Sequence, residues 1–192
     1  MRLFKPRMNP IEQPDWSPEQ TELMQPFILH GSNFRIFRTL VRHPASFAPF
    51  MAWTRHILGR NNTLSKRDRE IAILRIGFLC KSGYEWAQHV EIGKQCGITG
   101  AEIEAIKAGG DAPNWTPAES ALLDASDDLH NDKFIATPTW DRLRAHYSEA
   151  QVIDLIYTVG VYTTVSMALN SLGIQLDEHL TIDPDLDARA VQ

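Results

Sequence analysis

From Glu70 to Cys80 the chain reads Glu-Ile-Ala-Ile-Leu-Arg-Ile-Gly-Phe-Leu-Cys, and only Glu70 and Arg75 carry charge. Wound as an α-helix, such a segment is apolar on every side, and a helix of that kind is stable in water only when other elements surround it. The fold must therefore be assembled around this stretch. The two charges inside it need partners, because an unpaired buried charge costs several kcal/mol.

A second helix follows directly. Lys81-Ser82-Gly83 breaks the first, and the next runs on to Gly97, so the pair forms a central helical hairpin with Ser65 as the cap at its start. Ser82 and Glu85 have the Ser-x-x-Glu spacing of a capping box. Glu85 and His89 stand four residues apart. That spacing stacks them on one helical face, where a carboxylate orients and tunes an imidazole that titrates near neutral pH. Tyr84 and Trp86 flank Glu85 and diverge by about 200°, which sends one toward a pocket and the other into the core.

The rest of the chain reads as further helices. Ser17-Pro18 starts one that ends before Pro26; the apolar stripe of residues 33–42 ends at Pro44; residues 45–58 close at Gly59. Thr99-Gly100-Ala101-Glu102 is a capping box, Gly109-Gly110 a stop, and Thr116 the cap of a helix to about His130. Thr137-Pro138 and Ser148 mark two more starts, the last helix closing at Gly173. No segment alternates with period two for long enough to build a sheet, so the expected fold is all-α. Residues 1–16, with Pro6, Pro10 and Pro14, form an N-terminal arm with Trp16 as its anchor, and residues 17–192 a single domain.

Composition narrows the partners. A formal charge of -5 gives no electrostatic reason to expect nucleic acid or an anionic membrane, which leaves small-molecule chemistry. The apolar run at 71–80 is far short of the roughly 20 residues that span a bilayer, and the basic N-terminus lacks the apolar core of a leader; a cytoplasmic location is expected. Cys80 and Cys96 would lie about 20 Å apart on the hairpin, beyond the ~7 Å a disulfide tolerates, so both read as unpaired structural thiols. There is no His-Glu-x-x-His motif or cysteine cluster to hold zinc.

Tyr84-Glu85-Trp86, Gln88-His89, Gly97-Ile98-Thr99, the helix start Ala101-Glu102-Ile103 and the 19-residue separation of Glu70 from His89 together resemble the carboxymuconolactone decarboxylase and alkylhydroperoxidase D-like (AhpD-like) family. The likeness is strong over residues 64–109 and weaker over 148–176. It implies an AhpD-like multi-helix bundle, a homo-oligomer such as a trimer or hexamer, and a relay of Glu70, Glu85 and His89. The peroxidase branch of that family carries cysteines seven and four residues before the histidine. Ser82 and Glu85 stand at those positions here, and neither can supply a thiolate or resolve a disulfide. The decarboxylase branch, like this chain, has glutamate four before the histidine.

The resemblance thus implies a carboxymuconolactone decarboxylase-like enzyme working without metal or organic cofactor on a small carboxylated lactone or a related aromatic-degradation intermediate. His89 would be the general acid/base, with Glu85 and Glu70 orienting it or sharing its proton. Arg75, Ser82, Tyr84, Trp86 and Asn170 are the candidate substrate-binding residues. Each has a plainer reading: Arg75 tied to an internal carboxylate or a helix C-terminus, Ser82 as a cap, Tyr84 or Trp86 in the core, Asn170 as a residue of an apolar helix that needs hydrogen-bond partners if buried. Two other functions stay open, a thiol peroxidase with Cys80 acting alone and a non-catalytic oligomeric binding protein.

Overall fold

The computed structural model describes residues 1–189, and among them there are nine α-helices and no strand. They are α1 (Pro18–Leu29), α2 (Arg35–Leu40), α3 (Pro44–Leu58), α4 (Lys66–Leu79), α5 (Gly83–Gln95), α6 (Gly100–Ala108), α7 (Pro117–Asn131), α8 (Thr137–Arg144) and α9 (Glu149–Leu172). Short 3-10 turns lie at Gln13–Asp15 and Pro184–Leu186. The all-α expectation holds. So does the central hairpin, because α4 and α5 pack antiparallel across the turn at Lys81, with α6, α7 and α9 closing around α4.

The apolar run dictates this arrangement. Ile71, Ala72, Ile73, Leu74 and Ile76 are all fully excluded from solvent, which a helix apolar on every side requires. Side-chain caps fix where the helices begin. Ser65 accepts from the Asp68 amide at 3.0 Å, and Thr99/Glu102, Thr116/Glu119 and Ser148/Gln151 form reciprocal boxes. Gly173 closes α9 with a φ of 67°, a left-handed turn that glycine adopts without steric cost.

Three boundaries differ from the sequence reading. Pro26 sits inside the last turn of α1 instead of ending the helix. The single bond it forfeits belongs to the carbonyl of the exposed residue Glu22, which water can satisfy. Pro44 is the first residue of α3, the position where a missing N–H costs nothing, and α2 is confined to six residues. The Ser82–Glu85 capping box does not form: Ser82 precedes α5 with φ -98° and ψ 86°, outside the extended conformation of the other caps, and its side chain caps nothing.

The N-terminal arm lies on its own chain. The Arg7 and Met8 amides donate to the Leu172 carbonyl at 2.9 and 3.2 Å, and the Ile11 amide to Arg38 at 3.0 Å. Trp16 anchors a second small core with Met24, Val41, Phe47 and Met51. Helix α9 is long and apolar enough to cross a membrane, a feature the sequence reading passed over. More than half of its most apolar window is buried within the fold, against α3, α4 and α7. Cys80 and Cys96 are both free.

Candidate active site

Glu70 projects from the middle of α4 and is wholly buried; His89 and Glu85, on the facing side of α5, are 6% and 4% exposed. The imidazole is held from both sides. Its Nδ1 lies 2.6 Å from Glu70 Oε2 and its Nε2 3.0 Å from Glu85 Oε1. The i,i+4 stacking of one carboxylate and the hairpin packing of the other produce this three-membered chain. Behind it, Glu70 Oε1 faces Arg69 Nε at 3.8 Å, and Arg69 is fixed in turn by donating to the Ile57 carbonyl at 3.3 Å.

Burial alone would lower the His89 pKa. The charges of Glu70 and Glu85, and the hydrogen bonds to them, more than offset it and raise the value to about 10. An imidazolium between two carboxylates is therefore the resting form at neutral pH. Both ring N–H groups are thereby engaged, and neither is free for a further partner. Glu85 uses one oxygen on His89 and lines a cavity with the rest of its carboxylate.

That cavity has a volume of about 330 Å³ and sits where α1, α2, α3, α5 and α9 meet. Phe27, Phe34, Phe37, Phe50, Ile92 and Val165 make most of its wall. Its polar lining comprises Ser32, Thr54, Arg55 and Gln88 together with Glu85, His89 and Tyr162, the last standing edge-on to the imidazole with ring centres 5.0 Å apart. Burial, reinforced by the two carboxylates, holds the Tyr162 phenol far above its ordinary pKa, so it is a neutral hydrogen-bond donor.

The eight residues singled out in the sequence divide clearly. Glu70, Glu85 and His89 come together, and Tyr84 joins them at the cavity wall, with its hydroxyl turned to donate to Asp177. The other four lie elsewhere. Arg75 makes a two-pronged pair with Asp127 at 2.5 and 2.6 Å and donates to the Ile106 and Lys107 carbonyls at the end of α6. All its donors are spent on the fold and none faces the cavity. Ser82 is fully buried at the hairpin turn, with no partner for its hydroxyl among the described residues. The Trp86 indole donates to Asp183 at 3.1 Å, stacks near Phe78 and lines a separate cleft. Asn170 donates to the Cys80 carbonyl at 3.0 Å and tethers α9 to the end of α4. None of these four lines the cavity beside His89; Arg75 and Asn170 satisfy backbone carbonyls, Trp86 borders its own cleft and Ser82 is buried at the turn.

Tyr162 and Arg55 are among the cavity residues that the sequence reading did not single out. Tyr162 lies within the stretch that resembles the family's closing helix, three residues from each of the buried Val159 and Val165, so in sequence it reads as part of the core face. Arg55 sits at the cavity edge on α3, and nothing in the sequence separates it from the other surface arginines.

A model of the Carboxymuconolactone decarboxylase family matches residues 44–128. No curated protein matches the sequence. Among solved structures, one similar chain is an alkylhydroperoxidase AhpD core protein, an uncharacterized peroxidase-related protein from Ralstonia eutropha, at TM-score 0.79 and 15% identity over 90% of this chain and 93% of that one. A second, an uncharacterized peroxidase-related protein from Silicibacter, gives 0.75 and 13% over 98% of both chains. A variant of the debrominase Bmp8 in complex with 2,3,4-tribromopyrrole gives 0.75 and 12%, covering 92% of this chain and 94% of its own. At such identities these structures establish the fold, which is AhpD-like.

Proposed function

We propose that this chain, whose residues 44–128 match the carboxymuconolactone decarboxylase family and whose fold is AhpD-like, is an acid/base enzyme of decarboxylase type that acts on a small ring compound carrying a carboxylate. The observation that carries this reading is the imidazolium held between Glu70 and Glu85 at the wall of a largely apolar cavity. Loss of carbon dioxide breaks one carbon–carbon bond and leaves an electron pair, which a conjugated carbonyl of the substrate itself can absorb. The protein then has to position the carboxylate and deliver one proton to carbon. His89 passes its Nε2 proton to Glu85, Glu85 delivers that proton to carbon, and a proton from solvent restores the imidazolium, while Glu70 holds the imidazole in place and stabilises its charge. Positioned acid/base groups contribute typically 10²- to 10⁴-fold in rate, sufficient for a substrate that is its own electron sink, so the proposal requires neither metal nor organic cofactor.

A protein of the same fold is a debrominase crystallised with a tribromopyrrole, a small ring compound of the size this cavity holds. The peroxidase reading is disfavoured by Cys80. Its thiol is turned away from His89 into a different cleft, beside His130 at 3.8 Å, and burial raises its pKa, the opposite of what a reactive thiolate needs. A cytoplasmic setting belongs to the same proposal.

The test is turnover of carboxylated lactones and β-keto aryl acids in deuterated water, following released carbon dioxide and deuterium at the carbon that lost it. Glu85→Gln should reduce turnover by at least about 10²-fold. Undiminished deuterium delivery in that variant would overturn the assignment.

A further inference from the structure

The cavity beside His89 is walled by phenylalanines, yet one of its edges carries an arginine. Arg55 lines it from α3 and is exposed, and among the described residues its guanidinium makes no ion pair and no hydrogen bond. The neighbouring arginines are engaged: Arg38 with Glu12 at 2.6 Å, Arg35 beside Asp177 at 4.0 Å, and Arg69 on the Ile57 carbonyl and Glu70. The other cation of the wall, His89, is already neutralised by two carboxylates. The site therefore has uncommitted positive charge for one anionic group and no more.

We infer that the ligand of this site is an apolar, ring-bearing monoanion, its ring among Phe27, Phe34, Phe37 and Phe50 and its single carboxylate on Arg55. The inference rests on the reading above that this cavity is the active site, and it narrows the substrate class. A second carboxylate on the same molecule would find no second free cation in the wall: it would stand among phenylalanine rings, face Glu85, or rest on neutral groups such as Tyr162, Thr54 and Ser32. Each position takes a second charge out of water without a counter-cation, so the wall selects against polar dicarboxylates, carboxylated lactones with two acid groups among them. The volume of about 330 Å³ lies at the small end of ligand sites, roughly 300–1,000 Å³.

Calorimetric titration of the full chain with 1-naphthoate, 1-naphthamide and 4-carboxymuconolactone tests this without depending on turnover. Naphthoate should bind and the dicarboxylic lactone should not. Arg55→Met should weaken naphthoate by roughly tenfold and leave the uncharged amide unchanged, while Arg55→Lys restores most of the loss; melting curves of both variants should match the parent, because the side chain is exposed and unpartnered. Binding of the lactone as tight as that of naphthoate, no binding of naphthoate, or an Arg55→Met variant that binds it normally would overturn the inference. Turnover of the dicarboxylic lactone that disappears in Glu85→Gln would sustain the proposed reaction and sink this substrate class. Naphthoate binding with no acid/base turnover of any carboxylated substrate would do the reverse.

Discussion

Glu70 has no contact with water, and its stability depends on the two cations it faces, His89 at 2.6 Å and Arg69 at 3.8 Å. Removing the imidazole therefore does more than remove an acid. It leaves two buried carboxylates facing each other across the vacated space. His89→Ala is expected to lower unfolding free energy by about 3 kcal/mol or more, whereas Glu85→Gln, which keeps shape and a hydrogen-bond acceptor, should cost less than about 2 kcal/mol. Urea unfolding of the two variants checks the order; equal losses would mean that the charge of His89 is not what holds Glu70. The same residues mark what could be read in advance. Glu85 and His89 were legible because their spacing is local to one helix, and Glu70 because it is a charge in an apolar run. For Arg75 only the need for a partner was legible. Asp127 lies 52 residues away, and no local pattern joins the two.

The α4–α5 hairpin is legible as an element for the same reason, since an apolar helix must be surrounded and a break at Lys81 turns the chain back. Helix starts were readable wherever a serine or threonine serves only as a cap, as at Thr99, Thr116 and Ser148. Ser82 misled because its presumed partner Glu85 is engaged by His89 at 3.0 Å, a contact that outweighs a backbone amide at a helix start. The end of α6 shows how an element boundary and a buried charge are coupled. Gly109 closes α6 with φ 94°, and a β-carbon placed there would stand 2.9 Å from Arg75 Nη2. Gly109→Ala thus strains the backbone and displaces the guanidinium that satisfies the last carbonyls of α6. Its unfolding free energy should fall by about 3 kcal/mol with naphthoate affinity unchanged. Lost affinity in a folded variant would place Arg75 back at the substrate.

For the molecule as a whole, the cavity was the least legible feature. Its wall is gathered from α1, α2, α3, α5 and α9, whose aromatic residues read in sequence only as core stripes, and nothing local says that Phe34 and Phe50 will face the same space as His89. What the assembled fold does to that histidine is its most direct signature. An unfolded chain releases the His89 proton near pH 6.5, while the folded protein keeps it to about pH 10. The stabilisation from this group is complete below about pH 6.5, declines as pH rises above it, and is gone once pH passes about 10. The decisive measurement is a ¹⁵N NMR titration of the histidine side chains, with His89 assigned by its Glu85→Gln variant. The relay predicts a ring protonated at both nitrogens through pH 8 and titrating near 10; a His89 that titrates near its ordinary value of 6.5 would contradict an imidazolium held between two carboxylates.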